Sequence, residues 1–356
     1  MSTHAVEDQS GSRFEADSEV CLREPTALAL PKTAGAPRAA RKPARRPKEP
    51  ASILHFLSTQ AFASPFDVNM AVDAGFKVVV THTSAGLRET AGLVQDAIFS
   101  RPPEFGGFTG MFIGGKDALL ALDMLAAARA AIVPPFRLSV LADPGGSFTT
   151  AAAMVAMVES AYRQSTGRTL EGARVAVFGA TGVVGFASAV IAARCGAKVR
   201  MISHIGKAPL MPAIEAARSR FGVDLEPVLG ARDADKSRIA GKSDVVLCAA
   251  AAGVRVLTSK HVARAKDLAV VADVNAVPPA GIEGVEPFDR GRWLDGTAVA
   301  SVGPLAIGDI KYKTQAALFR RMVGADSALM LDFNDAFAVA RKLVAQQRVA
   351  KDRSGP

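Results

Sequence analysis

The sequence predicts an α/β fold of two domains, each with a mainly parallel sheet, preceded by a disordered N-terminal extension. Three observations carry this prediction. From Ser52 onward, short apolar runs alternate with segments of helical period, the pattern of βαβ units. A glycine-rich turn joins an apolar strand to a helix near the middle of the chain. The first fifty residues show no apolar period and carry a basic run interleaved with Pro and Ala, from Lys32 to Lys48.

Taken in order, "SILHFL" (52–57) reads as a buried strand. "SPFDVNMAVDAGF" follows as a helix, with Ser64 as N-cap, Pro65 at the first helical position and Gly75 as the stop. "KVVVTHT" is the second strand and "GLRETAGLVQDAIFS" a helix. "TGMFIGG" is the third strand, followed by the long helix "KDALLALDMLAAARAAI". "FRLSVLAD" is the fourth strand. In "DPGGSFTTAAAMVAMVESAYRQ", Asp143, Pro144 and two glycines make a turn. Ser147 or Thr149 caps the helix that links to the second domain. That domain begins with the strand, turn and helix of "ARVAVFGATGVVGFASAV" and continues through the strands "DVVLCAA" and "LAVVADVN". Beyond Ile310, "KYKTQAALFRRMV" and "SALMLDFNDAFAVARKLVAQQ" are helical and fold back on the first domain. The expected boundaries are 1–50 for the extension and 51–150, completed by 310–345, for the first domain. The second spans 151–309.

Composition narrows the function classes. The chain is 49% apolar, with no uninterrupted apolar run long enough to span a membrane. Cys21, Cys195 and Cys248 lie far apart without CxxC spacing. A disulfide framework and a structural zinc site are therefore not expected, and a reducing, cytoplasmic setting is. His4, His55, His82, His204 and His261 show no metal-ligand spacing, so no metal is expected. The net charge of +9 is partly local to the extension. Its basic run lacks interleaved aromatics, which argues against nucleic-acid binding.

The chemistry begins at "VAVFGATGVVG". Gly179, Gly182 and Gly185 follow an apolar strand and open a helix, with Thr181, Val183 and Val184 in the same turn. Glycine lets the backbone approach a pyrophosphate, and the helix N-terminus offers unpaired amides to it. This identifies a Rossmann-type domain for NADP or NAD. Many such domains end the next strand on an acid that binds the ribose and repels a phosphate there. This chain has Ser203 and His204 instead, with Lys207 nearby, a set that accepts the extra phosphate of NADP without excluding NAD. Ala250, after "DVVLC", leaves room for ribose. The amide of Asn275, before Pro278-Pro279, could address the nicotinamide carboxamide.

Several stretches together resemble the NAD(P)-dependent methylene-tetrahydromethanopterin dehydrogenases of one-carbon-oxidising bacteria. They are "SPFDVNMAVDAGF", "QDAIFSR", "FIGGKDALLALDM", "PPF", "ADPGGSFTTAAAMVA", "VFGATGVVG", "DVNAVPPAGIEG" and "LAIGDIKYKTQ". The likeness runs from about Ser52 to Leu343. It implies a pterin substrate held between the domains and oxidised from the methylene to the methenyl form, with direct hydride transfer to NAD(P). It also implies that Lys311 is the lysine of the pterin site. The residues agree with such chemistry: hydride leaves a carbon whose two nitrogens stabilise the cation, so orientation is the main task of the protein. A full positive charge at Lys311 would oppose that cation, so a polar or charge-compensated setting is expected.

Around Lys311, the pterin would meet residues beyond the carboxyl ends of the first-domain strands. Asp67 would hold its amino groups, with Phe66 packed on the ring. Lys116 would meet an anionic tail. Asp143, Ser147 and Thr149 surround the interdomain turn, where turn and cap roles also account for them. A homo-oligomer is expected. The alternative is another two-domain NADP dehydrogenase, of the methylene-tetrahydrofolate or the shikimate and quinate type. A non-catalytic NADP sensor is a third class.

Overall fold

The computed structural model describes residues 49–353, with side chains described to residue 349. The expected disordered extension therefore lies outside the described residues but for its last two. The chain first lays down β1 (Ile53–Ser58), α1 (Pro65–Asp73), β2 (Val78–Thr83), α2 (Leu87–Phe99), β3 (Thr109–Ile113), α3 (Ala118–Ala130) and β4 (Ser139–Ala142). α4 (Ser147–Thr166) leads to β5 (Arg174–Phe178), α5 (Val183–Arg194), β6 (Lys198–Ser203), α6 (Met211–Phe221) and β7 (Glu226–Leu229). Then come α7 (Asp233–Gly241), β8 (Val245–Cys248), α8 (Ser259–Arg264), β9 (Val270–Asp273), β10 (Arg290–Trp293) and β11 (Ala300–Val302). α9 (Pro304–Met322), β12 (Met330–Leu331) and α10 (Phe333–Arg353) complete the chain.

Two sheets result. One has the order β12-β4-β3-β1-β2 and is parallel throughout. The other has the order β10-β11-β9-β8-β5-β6-β7 and is parallel except for the β10–β11 edge. In each, the chain leaves its first strand to one side and later returns to the other. The strand order thus reverses between β1 and β3, and between β5 and β8. Ligands of open parallel sheets gather at such switch points, beyond the strand carboxyl ends.

α1 starts as its residues dictate. The Ser64 hydroxyl accepts from the Asp67 amide at 3.3 Å, and Pro65 occupies the first turn, where it loses no bond. α4 is apolar almost all round, from Phe148 to Tyr162, because it is buried among α5, α9 and α10. One apolar core consequently continues from Phe56 and Phe112 of the first sheet through Met154 to Val175 of the second sheet and Val190 of α5. No helix among the described residues is long and apolar enough to cross a membrane.

Two segments differ from the sequence expectation. "SALML" is not helical: Met330 and Leu331 pair with Val140 and Leu141 as an edge strand, and the helix begins at Phe333. α9 starts at Pro304, well before Lys311, because Pro suits a first helical turn and buried Ile307 and Ile310 extend the period backwards.

Candidate functional site

The carboxyl ends of β1 and β4 and one face of α9 meet around a single lysine. Lys311 and Gln315 lie one turn apart on α9, so they share a face. Lys311 Nζ donates to Gln315 Oε1 at 2.7 Å, and Gln315 Nε2 donates to Asp67 Oδ1 at 2.7 Å. Gln315 is fully buried and Asp67 nearly so. The Lys311 ammonium also stands 3.8 Å from the centroid of the Phe66 ring, whose outer surface is half exposed. Gly146 has φ +66°, and a side chain there would come within 2.9 Å of Lys311 Nζ. The turn thus needs glycine both for its backbone and for the room it gives the lysine.

Asp143 completes the cluster from below. It is wholly buried. Its Oδ1 accepts from the amides of Phe148 at 2.9 Å and Thr149 at 3.1 Å, and its Oδ2 from the Thr149 hydroxyl at 2.7 Å. Asp143, rather than Ser147 or Thr149, is therefore the side chain that caps α4. Only an acceptor placed before the turn can reach those amides. Thr149 instead donates to its cap, and Ser147 is half-buried in the first turn.

Electrostatically the cluster is compensated. Burial pushes the Asp143 carboxyl up to about 6, against the pull of Lys311. Burial likewise raises Asp67, opposed by the Gln315 bond and by Lys311. Burial lowers Lys311, while Asp143 and Asp67 hold its proton on. Lys313 points elsewhere, paired with Asp309 at 2.8 Å on the surface. On a helix the two lysines diverge. Lys116 is exposed just before Asp117, which caps α3. Its loop lies beside the cluster, since a side chain on Gly145 would come within 3.3 Å of the Gly115 carbonyl.

A second concavity, of about 710 Å³, opens at the switch point of the other sheet. Gly179, Thr181 and Gly182 line it, with Ser203 and His204 on the β6 side and Ala250 on the β8 side. Gly179 has φ +74°, and any side chain on it would overlap the Ala249 carbonyl. Gly185 lies in the first turn of α5, against the Gly179 carbonyl. Val183 and Val184 are half-buried in that turn, so the contribution they can make to a ligand is their free backbone amides. The Ser203 hydroxyl, almost buried, accepts from the Ile205 amide at 3.3 Å and keeps its own proton to donate.

Two residues of the sequence-derived set stand apart from this cavity. Lys207 is exposed and lines a separate basic depression with Arg200, Arg238 and Lys242, because the turn after β6 carries it away. Asn275 spends its amide on its own loop. Its Nδ2 donates to the Pro279 carbonyl at 3.1 Å, and its Oδ1 accepts from the Val277 amide at 3.0 Å. Asp273 is structural, accepting from the amides of Asn275 and Ile282, both at 3.0 Å.

Three residues that the sequence did not single out belong to these sites. Gln315 bridges Lys311 to Asp67, and its signal was the four-residue spacing from Lys311 on a helix. Lys236 and Arg255 line the second cavity. Nothing in their local sequence marked them: Lys236 is one of several charges on the short α7, and Arg255 lies in the loop after β8. Among the described residues, no group of three or more His, Cys, Asp or Glu is arranged to hold a metal.

The chain is similar to known proteins over most of its length. Residues 65–145 match the family model described as methylene-tetrahydromethanopterin dehydrogenase, N-terminal. The chain is 44% identical over 295 residues to the NAD(P)-dependent methylenetetrahydromethanopterin dehydrogenase of Methylorubrum extorquens, covering 81% of this chain and 97% of that one. It is 28% identical to the bifunctional protein MdtA of the same organism, over 82% of this chain and 98% of that one. Among solved structures, a shikimate 5-dehydrogenase from Listeria monocytogenes aligns with a TM-score of 0.46 at 12% identity, over 84% of this chain and 98% of that one.

Proposed function

The chain belongs to the family of NAD(P)-dependent methylenetetrahydromethanopterin dehydrogenases, and from that premise we propose that it oxidises methylene-tetrahydromethanopterin to the methenyl form. When bound, NAD(P) supplies the hydride acceptor. The residues around the second cavity suit such a nucleotide. The glycine turn permits close backbone approach, the first amides of α5 are free for a pyrophosphate, and the wall at Ser203 and His204 bears no acid.

The observation that carries the substrate assignment is the Lys311–Gln315–Asp67 chain at the carboxyl end of β1. In this reading Phe66 gives the pterin a ring to pack on. Asp67 and Lys311 orient its polar edge, and Lys116 faces its tail. Asp143 and Thr149 fix the turn that carries Gly146 against Lys311. A cationic product develops beside two acids and one ammonium, so the cluster presents no excess positive charge to oppose it. No side chain need remove a proton, and the contribution of the protein is alignment and water exclusion. The reading includes self-association, for which the exposed Val78 and Val80 of edge strand β2 offer apolar surface.

The test is a matrix of substrates and cofactors read by absorbance of the reduced nicotinamide. Methylene-tetrahydromethanopterin, methylene-tetrahydrofolate and shikimate are each offered with NADP and with NAD. Turnover of the methanopterin derivative above the other two is expected. Turnover of shikimate with none of either pterin would replace this reading with the shikimate type. Light scattering of the purified protein decides the self-association.

A further inference from the structure

The second cavity holds a cation without a counter-charge. Lys236 is half-buried in its wall, and among the described residues its ammonium makes no hydrogen bond or ion pair. The acids of its own helix are engaged elsewhere. Asp233 meets His261 Nε2 at 2.9 Å, and Asp235 is held by Arg232 at 3.1 Å and Arg238 at 3.4 Å. Lys236 also sits near the start of α7, where the helix dipole disfavours a positive charge. Arg255, the other cation of the wall, is engaged: its Nε donates to the Ala280 carbonyl at 2.6 Å and it pairs with Glu283 at 3.1 Å.

The topology says which part of a nucleotide Lys236 would meet. α7 follows β7, which lies beyond β6 from the switch point. A pyrophosphate over the end of β5 leaves the adenosine half toward β6 and β7, and the nicotinamide half toward β8 and β9. Ser203, at the end of β6, lines the same region with a hydroxyl that accepts from the Ile205 amide and has its proton to give. Burial pushes the Cys248 thiol well up, Asp273 adding to the rise, and the Lys236 ammonium opposes it.

We propose that Lys236, with Ser203, binds the 2′-phosphate of NADP, the role that chain position alone would give to Lys207. This rests on the cofactor assignment above and goes beyond it by naming the residue that sets the preference for NADP over NAD. The bond would be charge-assisted and in a recessed wall, where it is worth about 10- to 100-fold in affinity.

Calorimetric titration of the pterin-free protein with NADP and with NAD tests it. Lys236→Gln is expected to bind NADP about 10- to 100-fold more weakly and NAD nearly as before, with much of the loss restored in Lys236→Arg. Thermal unfolding of each ligand-free variant checks that the fold is intact. Equal weakening of both nucleotides, no weakening of either, or a selective NADP loss in Lys207→Gln instead would overturn the proposal. Wild-type protein that binds neither nucleotide would overturn the cofactor assignment and this proposal with it. Wild-type binding with no pterin turnover would fail only the substrate reading.

Discussion

Gln315 Nε2 donates to Asp67 Oδ1 at 2.7 Å across 248 residues of chain, and it is the one neutral group between an acid and Lys311. An amide can do this because it carries a donor and an acceptor on one rigid plane. Gln315→Leu removes both bonds and leaves a buried carboxylate without its amide donor. Stability is expected to fall by about 1–3 kcal/mol. Turnover should fall further than stability explains, because Lys311 loses the bond that orients it. Denaturant melts and pterin kinetics on the same preparation separate the two effects. A variant that melts lower yet turns over normally would show Gln315 to be purely structural.

Lys311→Ala should lower pterin turnover by about 100-fold or more, the scale of a transition-state contact of roughly 3 kcal/mol. Nucleotide affinity should persist, since the cavity at Gly179 is separately walled. Lys313→Ala removes only an exposed pair with Asp309, worth at most about 1 kcal/mol. The two variants compared in one kinetic series assign the lysine, and the opposite order of damage would move the site.

Asp143 gives a pH signature. Its folded carboxyl is raised by burial to about 6 from an ordinary value of 3.8, so the folded chain holds this proton where the unfolded chain has released it. Such a group weakens the fold as pH rises through about 4 to 6, and the cost stays constant above that window. Asp143→Asn cannot lose a proton. The stability of wild type minus that of the variant should therefore decrease between pH 4 and 6. Denaturant titrations at several pH values measure it. A difference that increases across the window would mean the carboxylate is favoured in the fold.

The three glycines of the nucleotide turn should not be equally sensitive. A Cβ on Gly179 would lie 2.6 Å from the Ala250 amide nitrogen, on a residue already at φ +74°. One on Gly185 would lie 2.7 Å from the Ala180 Cα. Alanine at either should cost at least about 2 kcal/mol through overpacking, with left-handed backbone strain added at Gly179. Alanine at Gly182, where the nearest atom is 3.4 Å away, should cost under about 1 kcal/mol. Thermal unfolding without ligand reads all three.

The alternation of apolar runs and helical periods was legible because buried parallel strands and their crossover helices have distinct periods. The start of α1 at Ser64 and Pro65 was legible from the same local rules. Met330 and Leu331 were not, because two residues carry no period and their strand exists only through pairing with β4. In the site, Lys311 was legible through the family resemblance of "IGDIKYKTQ", and Asp67 and Asp143 through their places in the turns after the first and fourth strands. Gln315 was not, because its role appears only when the helical phase from Pro304 is known. Asn275 looked available because sequence does not show that the loop through Pro279 curls back onto its amide.

Helix α4 gives the continuous core a thermodynamic consequence. With Phe148, Met154, Val158 and Tyr162 all buried in the one apolar core that also takes in residues of both sheets, neither sheet can open without exposing the helix as well. Residues 49–353 should then melt as a single cooperative unit. A nucleotide held only at the end of β5 would slow hydrogen exchange of amides in β1 and β3, which it never touches.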